Sequence, residues 1–254
     1  MSLEKSEAVV LRTVEWSETS LIVTLFTREF GKVSAIAKGA RRLKSPFESA
    51  LDLLSLSSVV FLKKSGESLD LLIEAKLTRR FRSARVGLLP LYCGYYAAEL
   101  INALTENHQP IPGLMESLCQ TLEELDRNAC PSQTILEFEL QTLERLGHLP
   151  SWRQCVVCGE DIQNDRHTVA FSASGGGVVC QGCTPSQRNI LRIRQQTLAI
   201  LDSTTAPEAR IASNPREPIP PGYRGEIRLV MENLVQCLSE RRLRLLDYLE
   251  DLKR

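Results

Sequence analysis

The sequence predicts an α+β protein: an N-terminal β barrel over residues 1–80, then a helical domain over 81–254 carrying a small four-cysteine insert at about 151–186. Three observations lead there. The apolar pattern changes near Arg82 from short runs punctuated by glycine to three- and four-residue spacing. Two Cys-x-x-Cys pairs interrupt the helical part. The composition of the 254 residues, 43% hydrophobic and 24% charged with a net charge of zero, is that of an ordinary globular chain.

In chain order, the candidate strands are Ala8–Val14, Ser20–Phe26, Lys32–Lys38, Leu56–Lys64 and Leu69–Leu77. Each is short and rich in Val, Ile, Leu and Phe, and Gly31 and Gly66 mark breaks between them. Five short strands cannot build a large sandwich, so a small closed barrel of OB-like or SH3-like type is expected. A short helix within Arg41–Ser55, with Pro46 at its start, would bridge the barrel. Helices are predicted over Leu88–Leu104, Leu114–Leu125 and Ser132–Leu146, the last with Gly147 at C′. Beyond the cysteines, Pro185–Asp202 and Arg224–Leu252 read as helices, separated by the proline-rich segment Ser203–Gly222.

Four of the eight cysteines stand alone (Cys93, Cys119, Cys130, Cys237) and read as small buried residues. Cys155, Cys158, Cys180 and Cys183 form a CxxC–x21–CxxC pattern. A two-residue gap lets both thiolates of a pair reach one ion, and two pairs complete a tetrahedron. The spacing is that of a treble-clef finger or zinc ribbon, which favours Zn2+ over an iron–sulfur cluster. Gly159 and Gly182 leave the turns room for positive φ. Four cysteines close the coordination shell, whereas a catalytic zinc keeps an open position, so a structural ion is expected. His167, between the pairs, reads as a surface residue.

No other catalytic constellation is visible. The chain has no GxxxxGK[ST] loop, no GxGxxG after a strand and no GxSxG elbow, and its three histidines lie in separate segments. The reading is therefore of a protein that is not an enzyme. No apolar run approaches a membrane span, and the charged start Met1-Ser2-Leu3-Glu4-Lys5 is unlike a signal peptide, so a cytoplasmic protein is expected.

Zero net charge conceals an asymmetry: both ends are basic and the middle is acidic. The densest basic run is Arg28, Lys32, Lys38, Arg41, Arg42 and Lys44, opposed only by Glu29. Arg79, Arg80, Arg82 and Arg85 follow without an acid among them. On a strand end and loop such cations would neutralise phosphates, with Gly39 letting the backbone come close. Trp16, Phe26, Phe30 and Phe47 are candidates for base stacking, with core packing the competing role for each. Arg241, Arg242 and Arg244 form a second basic group on the predicted last helix, where Arg241 and Arg244 would share a face.

The stretch Trp16-Ser17-Glu18-Thr19-Ser20-Leu21-Ile22-Val23-Thr24-Leu25-Phe26-Thr27-Arg28-Glu29-Phe30-Gly31-Lys32, leading to Ala37-Lys38-Gly39-Ala40-Arg41-Arg42, resembles the N-terminal signature of the bacterial recombination mediators of the RecO family. The segment Gly175-Gly176-Gly177-Val178-Val179-Cys180-Gln181-Gly182-Cys183 is similar to that family's second cysteine pair. The resemblance spans essentially the whole chain. It implies an OB-fold barrel that binds single- and double-stranded DNA, annealing of complementary strands coated with single-strand-binding protein (SSB), and RecA loading together with RecR. It also implies a nucleoid-associated location and a contact with the C-terminal tail of SSB through the helical domain, for which charge singles out Arg241, Arg242 and Arg244. The competing reading is a zinc-stabilised adaptor that docks proteins and does not touch DNA.

Overall fold

The computed structural model describes residues 2–42, 45, 47–64, 66, 68–127, 130–162, 167–205 and 219–253. The chain divides into two compact units, Met1–Asn128 and Ala129–Arg254.

The first unit is built on strands β1 (Ser2–Glu15), β2 (Leu21–Thr27), β3 (Gly31–Ala37), β4 (Leu56–Lys63) and β5 (Asp70–Arg79). They close into a barrel in the order β1-β2-β3-β5-β4. All neighbours are antiparallel except β3 and β5, which pair in parallel. This is the five-stranded closed barrel of OB type. β1 starts six residues before the predicted strand and serves two neighbours. Its first half pairs with β4 and its second half with β2, with a bulge between Val10 and Arg12 where it bends from one to the other.

Alternation fills the barrel. Val23 and Leu25 of β2, Val33, Ala35 and Ala37 of β3, Val59 and Phe61 of β4, and Leu72 and Ala75 of β5 are buried in one core. A short 3₁₀ turn, Glu48–Leu51, lies where a bridging helix was expected, and Phe47, Ala50 and Leu51 close the core from the β3–β4 connection. The first unit also holds helices α1 (Leu88–Leu104) and α2 (Leu114–Asp126). Asp126, at the end of α2, accepts hydrogen bonds from the Arg82 amide and the Ser83 hydroxyl, both at 2.8 Å.

In the second unit, α3 (Pro131–Arg145) ends where the sequence indicated. Gly147 takes φ +75°, its amide bonds to the Glu144 carbonyl, and the His148 amide reaches back to the Leu143 carbonyl. That is a Schellman motif, and it needs a residue without a Cβ penalty at C′. Helices α4 (Gln195–Thr205) and α5 (Pro221–Ser239) pack with α3. Between α3 and α5, Arg228 donates two hydrogen bonds to the Glu139 carboxylate at 2.7 and 2.9 Å, with both side chains buried. A charge pair out of water holds together only with such bidentate geometry.

Two predicted helices are corrected. Within Pro185–Asp202 only the second half is helical, because Ile190–Arg194 forms strand β8 along β6 (Thr168–Ser172), which also pairs with β7 (Gly177–Val179). An available sheet edge outweighed the helical spacing of Leu191 and Leu198. The helix over Arg224–Leu252 stops at Ser239, Glu240 takes φ +54°, and Arg244–Lys253 continues as a 3₁₀ helix. Leu243, Leu246, Leu249 and Leu252 are all buried at three-residue spacing, the period of a 3₁₀ helix rather than an α-helix.

Candidate metal centre and nucleic-acid interface

The four paired cysteines converge. Each pair sits on a turn closed in the same way: the Gly159 amide bonds to the Cys155 carbonyl at 2.9 Å, and the Thr184 amide to the Cys180 carbonyl at 3.0 Å. Gly159 takes φ +78° there, while Gly182 is not among the positive-φ residues. The second turn follows β7, so the β6–β7 hairpin carries one pair back to the other. All four sulfur atoms lie within 4.8 Å of one another. The Cys158 and Cys180 sulfurs are 3.7 Å apart, against about 3.8 Å for the edge of a tetrahedron with metal–sulfur bonds of about 2.3 Å.

The chemistry of the donors agrees with that geometry. Burial pushes the Cys155 thiol up, but hydrogen bonds from the backbones of Cys180, Cys158 and Val157 outweigh it and bring the group down to about 6. The Cys180 amide is 3.3 Å from the Cys155 sulfur. Cys183, by contrast, is pushed up to about 12, first by hydrogen bonding with the Cys180 side chain and then by burial. One thiolate is stabilised by amides, and further negative charge beside it requires a cation. The set fits a metal ion held by four thiolates. His167 is exposed, as expected of a surface residue. Among the lone cysteines, Cys93 is buried and Cys119 half-buried, but Cys130 and Cys237 are exposed, which corrects their reading as core residues.

The basic run separates by environment. Lys32 points its ammonium at the carbonyls of Asn102 and Thr105, where α1 ends. A cation there satisfies carbonyls that have no helical partner and favours the negative end of the helix dipole. Arg28 pairs with Glu7 at 3.0 Å and with Glu116, and Arg79 with Glu123 and, at 3.5 Å, Asp126. Arg80 lies 3.9 Å from Asp52, and Arg82 is exposed. Arg41 makes the connection between two loops. Its amide bonds to the Thr19 carbonyl at 3.1 Å, and its guanidinium reaches the Ser17 carbonyl at 3.2 Å and Glu15 at 3.0 Å. The β1–β2 hairpin loop and the loop after β3 are thereby fastened side by side. Lys38 and Arg42 flank this clasp in a turn through Gly39 at φ +76°, both exposed and with no ion pair among the described residues. Lys44 lies outside the described residues.

The aromatic candidates divide too. Phe26 and Phe47 are buried, and Phe30 packs edge-on against Phe61 at 5.5 Å. Trp16, at the hairpin tip, is 62% exposed. Sequence reading passed over Arg12. Its period-two spacing to Val14 and Trp16 was the available signal, and the register places Arg12 opposite Thr24 and Val14 opposite Ile22. The second basic group does not form a helix face. Arg241 and Arg242 lie in the break after α5, Arg242 pairs with Asp247 at 2.5 Å, and Arg244 opens the 3₁₀ helix.

Comparison with known proteins matches residues 1–81 to the family described as Recombination protein O N terminal and residues 87–247 to Recombination protein O C terminal. The chain belongs to the RecO family. It is 45% identical over 202 residues to the DNA repair protein RecO of Rhodopirellula baltica, covering 79% of this chain and 75% of the relative. It is 33% identical to that of Anaeromyxobacter dehalogenans, over 99% of this chain and 98% of the relative. To the RecO protein of Symbiobacterium thermophilum it is 32% identical, over 100% and 99%. Membership of the RecO family carries a role in DNA repair and recombination. No helix among the described residues is long and apolar enough to cross a membrane.

Proposed function

We propose that this chain is a non-enzymatic recombination mediator. Residues 1–80 bind single- and double-stranded DNA, and residues 81–254 supply helical surfaces for protein partners. The observation that carries the reading is the pair of loops fastened by Arg41 on an OB-type barrel, which presents Lys38 and Arg42 to solvent. The exposed Arg80 and Arg82 add to the positive charge of residues 1–82 in this reading, and from the sequence Lys44 is assigned to the same role. Arg28, Lys32 and Arg79 are engaged by Glu7, by the end of α1 and by Glu123, so any part they take in DNA binding adds long-range charge to the same domain.

Annealing by such a protein needs no reacting side chain. A basic surface that holds two polyanions close lowers their repulsion, and base pairing supplies the driving force. Partnership with RecR, promotion of RecA loading, a contact of the SSB tail with Arg241, Arg242 and Arg244, and a cytoplasmic, nucleoid-associated location complete the proposal. The ion held by Cys155, Cys158, Cys180 and Cys183 is Zn2+ in this reading. It supplies cross-linking of the module and no chemistry on DNA.

The test is annealing of two complementary oligonucleotides coated with the cognate SSB. Acceleration without ATP is the expected result. Bare DNA bound while SSB-coated strands stay apart would remove the SSB contact from the proposal. Failure to bind DNA at low salt would leave the adaptor reading.

A further inference from the structure

The outer surface of the barrel carries an apolar row that strand register alone assembles. Val14 stands opposite Ile22, Ile22 opposite Ile36, and Ile36 opposite Leu71. Their neighbours Val23, Ala35, Ala37 and Leu72 point into the core, so these four point out. Val14 is 39% exposed and the others are half-buried. Ile73, two residues beyond Leu71, is 46% exposed. A sheet face exposing aliphatic side chains across four strands marks a contact surface.

What surrounds the row decides its occupant. Trp16 lies just past the end of β1, two residues beyond Val14 and exposed, and Arg12 lies two residues before Val14 on the strand. Lys38 follows Ile36 outward from β3, with Arg42 beyond the Gly39 turn. Arg12, Lys38 and Arg42 are exposed and carry no ion pair among the described residues. Of the two acids beside Trp16, Glu15 is engaged by Arg41, while Glu18 is exposed in the same loop. An apolar strip ending in an exposed indole and edged by cations complements a chain with flat apolar bases on one side and phosphates on the other. Duplex DNA buries its base faces and offers no such partner.

We infer that Trp16 is a base-stacking platform for single-stranded nucleic acid, which runs over Val14, Ile22 and Ile36 with its phosphates on Arg12, Lys38 and Arg42. Arg41 is a positioning residue, since its bonds to Ser17 and Glu15 hold the Trp16 loop against the Lys38 turn. The inference rests on the DNA-binding reading and assigns it a path and a strand preference.

The chain suits a direct test because it has two tryptophans, and Trp152 is 5% exposed and stacked on Phe171 at 5.6 Å. Oligothymidylate is titrated into the full chain while intrinsic fluorescence and oligonucleotide anisotropy are followed together. Quenching that saturates with binding is expected, and it disappears in Trp16→Ala. That variant binds oligothymidylate about tenfold or more weakly, the loss that one stacked base carries, with duplex affinity unchanged. Trp16→Phe, which keeps a stacking ring, restores most of the affinity and serves as the folding control. Lys38→Ala instead lowers the salt dependence, by a log–log slope of about 0.7 for each phosphate it no longer neutralises. Binding with unquenched fluorescence and unchanged Trp16→Ala affinity overturns the inference while the DNA-binding reading stands, and assigns the apolar row to a protein partner. If the wild-type chain binds no oligonucleotide, both fall.

Discussion

The barrel and the four-cysteine module are both small antiparallel-rich β structures, yet they are held together differently. The barrel closes on itself through all five strands and surrounds a core running from Ala8 to Ala75 with Phe47 and Phe61 inside. The module has three strands in the order β7-β6-β8; one face buries Phe171, Val178 and Ile193, and the face at the cysteines has a small core cluster in which Cys155, Ala170 and Val179 are buried. One of those three is itself a metal-ligand candidate. The contrast shows where coordinate cross-links help: the cysteine face of an open three-stranded sheet recovers little hydrophobic energy to offset ordering its turns. Four thiolates on one ion would make up the difference.

That contrast can be broken experimentally, beginning with the largest effect. Removing the ion with a chelator, or replacing Cys155 and Cys180 by Ser, is expected to abolish amide protection across the module while the barrel strands keep theirs. Hydrogen exchange read by mass spectrometry resolves the two regions. Structural zinc is worth on the order of 10 kcal/mol in small modules near neutral pH, so loss should be complete rather than graded. Simultaneous loss of barrel protection would show that the module is not a separately stabilised element.

The reciprocal variant is Phe61→Ala in the barrel. Deleting a fully buried ring costs about 3–5 kcal/mol, and protection of β1 to β5 should fall by that amount. Stoichiometric metal content should be retained. A variant that also releases its metal would contradict independent stabilisation.

The smallest effect sharpens the comparison at the module's edge, where β8 ends against α5. Burial pushes the Glu226 carboxyl up, but hydrogen bonds from the Thr197 hydroxyl and Arg194 outweigh it, so its value lies below the ordinary 4.5. Because the folded value is depressed, the ionised form contributes stability that is present above the ordinary value and lost as pH falls through the folded one. Glu226→Gln should lower Tm by a few °C near neutrality, with the difference from wild type shrinking in acid. A difference independent of pH would show that packing, not charge, joins these elements.

The four-cysteine cluster was legible from the sequence because its signal is local: a two-residue gap constrains two thiols whatever the rest of the chain does. The barrel was legible because alternation and glycine breaks survive in any register, although β1 was read six residues short. Its start, Ser2-Leu3-Glu4-Lys5, carries two charges and does not read as a strand until β4 pairs with it. The basic run was legible as charge but not as function. Lys32 and Lys38 are six residues apart on or just beyond the same strand, yet one caps α1 and the other faces solvent. Likewise Trp16 and Phe26 are both aromatic, and only the packed fold shows which is exposed.

The sequence by itself determined the order barrel, helices and cysteine module, the four cysteines that cluster and the family. All of these rest on residue identity and near-neighbour spacing. Tertiary structure alone decided that Ile190–Arg194 is a strand, that Arg241 and Arg242 fall in a break rather than on a helix, and that Arg41 fastens two loops. It also decided that Val14, Ile22, Ile36 and Leu71 form one row. Each of these depends on which segment lies alongside another. Long-range pairing sets that, and no local window of the sequence contains it.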